Sequence, residues 1–191
     1  MKPTDHPTFP FANKRKWAGW LAKQHDKSTG VWLKLAKKNT GITSITYEEA
    51  LDVALCYGWI DGQKRSFDDQ YWLQKFTPRG PKSIWSKINT EKVERLIASG
   101  DMKPAGLKAI ELAKQDGRWD AAYASQKSIS VPEDFQSALD KHKKAKEFFA
   151  TLNSVNRYAI LFRIHNAKKP ETRAKKIQQF IEMLENNRRL H

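Results

Sequence analysis

The residues best equipped for chemistry lie in two neighbouring segments, GWIDGQ from Gly58 to Gln63 and FTPRGPKSIWSKIN from Phe76 to Asn89. An extended backbone through the first puts Trp59 and Asp61 on one face and Ile60 on the other, with Gln63 two residues further on. Gly62 leaves room beside them for a ligand or another backbone. In the second segment Arg79, Lys82, Ser83 and Ser86 supply hydrogen-bond donors near a possible helix start, a set suited to a carboxylate or phosphate. Trp72 and Trp85 add flat apolar surface for a ring. The expectation is a cleft for a small anionic or aromatic ligand, built from Trp59, Asp61, Gln63, Trp72, Arg79, Lys82, Ser83, Trp85 and Ser86. The competing reading is packing: the three indoles fill a core, Asp61 braces a turn, and the serines cap a helix.

Other reactive groups offer less. Cys56 sits inside an apolar helical run with no histidine nearby, the setting of a buried structural thiol rather than a nucleophile. His6, His25, His142, His165 and His191 contain no i, i+4 pair and no cysteine at zinc-ligand spacing, so neither a metal nor another cofactor is expected. Asp52 with Asp61, or Glu48 with Glu49, do not define a carboxylate pair by sequence separation alone. No catalytic residue is assigned, and a binding protein is favoured over an enzyme. The alternative is an enzyme acting on a small acidic metabolite around Asp61, Arg79 and Trp85.

The 191 residues carry a formal net charge of +14. Residues 126–191 hold 14 Lys and Arg against 7 Asp and Glu, and residues 1–125 hold 21 against 14, so the last third is about twice as basic per residue. A field of that sign attracts nucleic acid, anionic lipid or acidic protein, but it also keeps a protein dissolved. With acidic residues interspersed and no base-reading motif, solubility is the favoured reading; nucleic-acid binding ranks third, as a weak and salt-sensitive activity. The same field repels cationic peptides, so direct capture of one requires an apolar groove. The start, MKPTDHPTFPF, has no apolar stretch of leader length, and no run approaches the roughly 20 residues of a membrane span. With a single cysteine besides, the expected location is cytoplasmic.

The elements that must position these residues follow from periodicity and capping. Asn13 caps a helix carrying Trp17, Trp20 and Leu21 to about His25, and Gly30 to Ala36 alternates as a strand. Thr46 and Glu49 form a capping box for a helix that Gly58 stops. Trp59–Phe67 and Tyr71–Thr77 read as a hairpin around Asp68, Asp69 and Gln70. Asn89 caps a helix with Val93, Leu96 and Ile97 inward, and Pro104 opens another with Leu107 and Ile110 inward. Beyond Ser125–Ser130 only helices are predicted: one from Pro132 to about Leu139, a stripe through Phe148, Phe149 and Leu152, a helix capped by Ser154, and a last one from Pro170. The expected class is α+β, a small antiparallel sheet covered by helices and followed by an all-helical C-terminal part. The divisions are 1–12 as an N-terminal extension, 13–125 as the α+β domain and 126–191 as the helical subdomain.

GWIDGQ, FTPR, KSIWSKIN, EKVERLIASG, PAGLKAIELAKQDGRWDAAY and KKPETRAKKIQQFIEML, in that order between Trp17 and Leu184, resemble the YdeI/OmpD-associated family. The resemblance implies a cytoplasmic, stress-linked protein that protects against bacteriocins or cationic antimicrobial peptides, with a porin as protein partner. It implies no reaction and no catalytic residues.

Overall fold

The computed structural model describes residues 6–191, so residues 1–5 of the expected extension lie outside the described residues. By its contacts the chain divides into two compact units, one comprising the residues up to Trp85 with Asn89–Ala121, the other Ser86–Ile88 with Ala122–His191. The architecture is a mixed α+β region with a four-stranded sheet, followed by an all-helical C-terminal segment.

In the first unit the order is β1 (Thr8–Pro10), α1 (Lys14–Gln24), β2 (Val31–Ala36), α2 (Tyr47–Cys56), β3 (Trp59–Ser66), β4 (Tyr71–Pro78), α3 (Lys87–Ala98, whose first two residues belong to the second unit) and α4 (Pro104–Gln115). The Asn13 side chain accepts the Lys16 N–H at 3.1 Å, and both halves of the Thr46/Glu49 capping box are formed. Gly58 follows α2 at φ 73°, where a side chain is disfavoured, and turns the chain into β3. The strands run β1-β2-β4-β3; β2, β4 and β3 are antiparallel, and β1, which sequence periodicity did not predict, lies parallel to β2. Register puts Trp59, Asp61, Phe76, Val31 and Leu33 on one face. There Trp17 from α1 meets Trp59 edge-on at 6.4 Å and Phe76 at 5.8 Å, while its indole N–H donates to the Ala50 carbonyl of α2.

Several sequence expectations shift. Trp32 faces away from that core yet is only 3% exposed, because the Arg65 guanidinium lies 4.5 Å over its ring. α3 starts at Lys87 rather than after Asn89, since the Lys87 N–H already has the Tyr123 carbonyl as acceptor at 3.0 Å. Ile97 and Leu107 point outward. On α4 the inward stripe is Gly106, Ile110 and Ala113, set by the close seat of Gly106 on the Cys56 carbonyl.

The second unit contains α5 (Glu133–Lys141), α6 (Lys143–Thr151), α7 (Ser154–His165) and α8 (Pro170–Glu185). Phe135, Leu139, Phe149, Ile160, Ile164 and Leu184 form a core of its own. The cap of α7 is Asn153, one residue before the expected Ser154, and its side chain accepts the Asn156 N–H at 2.9 Å. Asn156, 3% exposed, then uses its own side chain to hold the last two residues: its oxygen accepts from Leu190 and His191, and its amide donates to the His191 carbonyl.

Candidate functional site

The two predicted segments meet at the open end of the hairpin, where Trp59 pairs with Pro78 and the Arg79 N–H donates to the Gly58 carbonyl at 2.9 Å, and their side chains fall into two groups of contacts. Trp59 is 1% exposed, with its N–H given to the His25 carbonyl at 3.0 Å and its ring edge-on to Trp17 and Trp20. Its neighbour on the same face, Asp61, accepts the Tyr47 hydroxyl at 2.8 Å. Tyr47 also lies beside Trp72, centroids 6.2 Å apart, and Lys64 sits 4.3 Å over the Trp72 ring. Gln63 is at the irregularity where β3 shifts register between Asp61 and Lys64. The buried Gln74 bridges that bulge, donating its amide to the Gly62 and Gln63 carbonyls, so the turn-like GWIDGQ segment is held by a side chain of the opposite strand.

The second setting is the loop after β4. The Arg79 guanidinium stacks 3.4 Å from the Trp85 ring centroid and donates to the Ile84 carbonyl. Ser83 closes the bend by accepting the Gly80 N–H, and its carbonyl takes Nη1 of Arg118 at 2.9 Å. Trp119 packs on Trp85 at 5.0 Å. Trp85 is 2% exposed, so its indole forms no open wall, and its Nε1 is buried without a hydrogen-bond partner among the described residues. Lys82 is exposed; Ser86 is buried and bridges to Tyr123. Tyr47, Gln74, Arg118 and Trp119 were not singled out from sequence. Arg118 and Trp119 stood only inside the quoted PAGLKAIELAKQDGRWDAAY motif, with no role read for either.

A cavity of about 500 Å³ in the first unit lies between the start of α1, α2 and the end of α3, with Ala18, Val53, Cys56 and Leu96 among its lining and Arg15 and Lys103 on it. Desolvation, with the Asp101 charge adding to it, pushes the Cys56 thiol up to about 11, so it is protonated at neutral pH. Asp52 is held there by Lys92 at 3.3 Å and Arg95 at 2.8 Å. Among the described residues no group of three or more His, Cys, Asp or Glu is placed to hold a metal ion, and no helix is long and apolar enough to cross a membrane.

In the helical unit a groove of about 740 Å³ runs between α5 and α8. One end is fastened by Arg173, whose guanidinium grips the Asp134 carboxylate at 2.5 and 2.9 Å and the Ile164 carbonyl at 2.7 Å. The other end has His142 Nδ1 2.8 Å from Glu185. Hydrogen bonds from Arg173 hold the Asp134 carboxyl below the usual carboxylate range. A depressed folded-state pKa contributes stability above the unfolded value of about 3.9, and that contribution is lost as pH falls through the folded value. Asp134→Asn is therefore expected to lower Tm at pH 7, with the gap to the parent closing in acid. Thermal melts from neutral pH downward check this, and a gap that widens on acidification contradicts it.

The family described as "Domain of unknown function (DUF8412)" matches residues 9–109, and the family described as "Bacteriocin-protection, YdeI or OmpD-Associated" matches residues 128–187. No curated protein and no solved structure matches the chain. The resemblance expected from Trp17 to Leu184 is thus found over the C-terminal part alone, while GWIDGQ and FTPR fall within the other family's span. The expectation of a cytoplasmic location is corrected by the same finding, because the protection family matched over residues 128–187 is described as OmpD-associated.

Proposed function

We propose, from the premise that this chain belongs to the family described as a domain of unknown function (DUF8412), that it is a non-enzymatic protection protein, acting by binding to blunt bacteriocins or antimicrobial peptides under stress. The observation that carries this is the coincidence of the bacteriocin-protection match, residues 128–187, with helices that have a core of their own. A sensitive bacterial strain expressing the full chain is expected to survive bacteriocin challenge better than the same strain without it, and the recovered peptide is expected to keep its mass. Equal killing of both strains sinks the protection reading. A cleaved or modified peptide sinks the non-enzymatic one.

A second reading concerns a small ligand at the loop after β4. It is favoured by the buried Trp85 N–H, which has no acceptor among the described residues and lies in a loop that also carries the Arg79 guanidinium and the exposed Lys82. An anion with an aromatic ring supplies that acceptor and pairs with the exposed Lys82 ammonium. Thermal shifts with benzoate and with inorganic phosphate test it: a shift that Arg79→Ala and Lys82→Ala abolish supports the site, and identical shifts in parent and variants reject it.

A further inference from the structure

We infer that the groove between α5 and α8 is a docking site for the apolar face of a cationic amphipathic helix. The inference deepens the protection reading and rests on it for the choice of biological partner. The α8 residues lining the groove recur every three or four positions from Pro170 to Glu185. On a helix that spacing is one stripe, here roughly 22 Å long at 1.5 Å per residue, matching a bound helix of about four turns. On the facing wall Asp134, Ala138 and His142 line it at four-residue intervals. Ala138, Ala174, Ile177 and Ile181 give an apolar floor, and the two alanines leave the space between the helices open enough for an inserted side chain. This is the geometry by which grooves take an amphipathic helix through anchors at i, i+3/i+4 and i+7.

Charge selects the partner. The rim carboxylates are Asp134, Glu182 and Glu185, while the fixed cation among the lining residues is Arg173, already gripped by Asp134; His142 lies against Glu185. Glu182 forms no ion pair among the described residues. In a chain of net charge +14 this is a local acidic strip. The overall field repels a cationic peptide at long range, but at physiological ionic strength it is screened over about 8 Å, leaving the contact to apolar burial and the rim carboxylates.

The test uses the full chain and a fluorescein-labelled 15-residue Leu/Lys amphipathic peptide, its Leu/Glu counterpart, and a Leu/Lys peptide of the same composition with the pattern scrambled. Saturable binding of the first alone is expected. Ala174→Arg, at an exposed floor position, and Glu182→Lys, on the rim, are each expected to weaken it roughly tenfold with unchanged circular dichroism and Tm. Binding that is equal in Ala174→Arg, equal for the scrambled peptide, or tighter for Leu/Glu overturns the inference. So does a dimer of the parent that Ala174→Arg converts to monomer, which gives the groove to a second copy. The two readings separate in cells: a parent that protects while Ala174→Arg protects equally removes the groove alone, and a parent that binds peptide without protecting removes the protection function alone.

Discussion

Gly106→Ala is expected to destabilise the α+β unit by about 3 kcal/mol or more, enough to lower Tm by roughly 10 °C or to prevent folding. The single added carbon would lie 2.3 Å from the Cys56 carbonyl oxygen and 2.7 Å from the Met102 methyl carbon. The first contact is with backbone, which cannot rotate away, so α4 must lift off the end of α2 and the packing of Ile110 and Ala113 goes with it. Gly19→Ala makes the opposite prediction. Gly19 is inside α1 with no atom within 4 Å of an added Cβ, so the gain in helix propensity stands alone and stability rises by about 0.5–1 kcal/mol. Denaturant melts of the two variants decide it. A Gly106→Ala protein as stable as the parent means that α2 and α4 do not approach as described.

Trp17→Ala is expected to cost about 3–5 kcal/mol, the range for emptying a large buried aromatic site. Trp17 is fully buried and touches rings from four places in the chain: Phe11 at 5.1 Å, Trp20 at 5.3 Å, Trp59 and Phe76. It thereby ties α1 to the sheet, and its hydrogen bond to Ala50 ties it to α2. Trp17→Phe keeps most of the apolar contact and loses that bond, so a smaller loss of about 1–2 kcal/mol is expected. Urea unfolding followed by tryptophan fluorescence measures both. Equal losses for Ala and Phe indicate that the hydrogen bond, not the packing, holds α1 in place.

Much of the fold was legible because it is written in short-range chemistry. The Thr46/Glu49 box, the Asn13 cap, Gly58 after α2 and the Asp68–Gln70 turn each act within a few residues, and each marks its element's end where expected. The turn sets the hairpin register from Ser66 back to Lys64, but the bulge between Asp61 and Lys64 shifts it by one, so the face that Trp59 and Asp61 share with Phe76 was decided by the bulge and not by the turn. Of the proposed peptide groove only the start of α8 at Pro170 was legible, because the groove exists through its facing wall on α5, which is not adjacent in sequence.

Composition and local pattern by themselves determined most of the helices and the three antiparallel strands, with β1 and the first residues of α3 and α7 left to the tertiary structure, that the chain is strongly basic, and which residues are marked as unusual. Tertiary structure alone decided what those residues do. Trp59 and Trp85 are buried, β1 joins β2 in parallel, the Lys87 N–H finds Tyr123, and Leu107 turns outward. Each outcome depends on an atom far away along the chain, the His25 carbonyl for Trp59 and the Cys56 carbonyl under Gly106. Capping and periodicity act through bonds spanning three or four residues, whereas burial and close approach are settled by which surfaces meet, and a linear pattern does not encode that meeting.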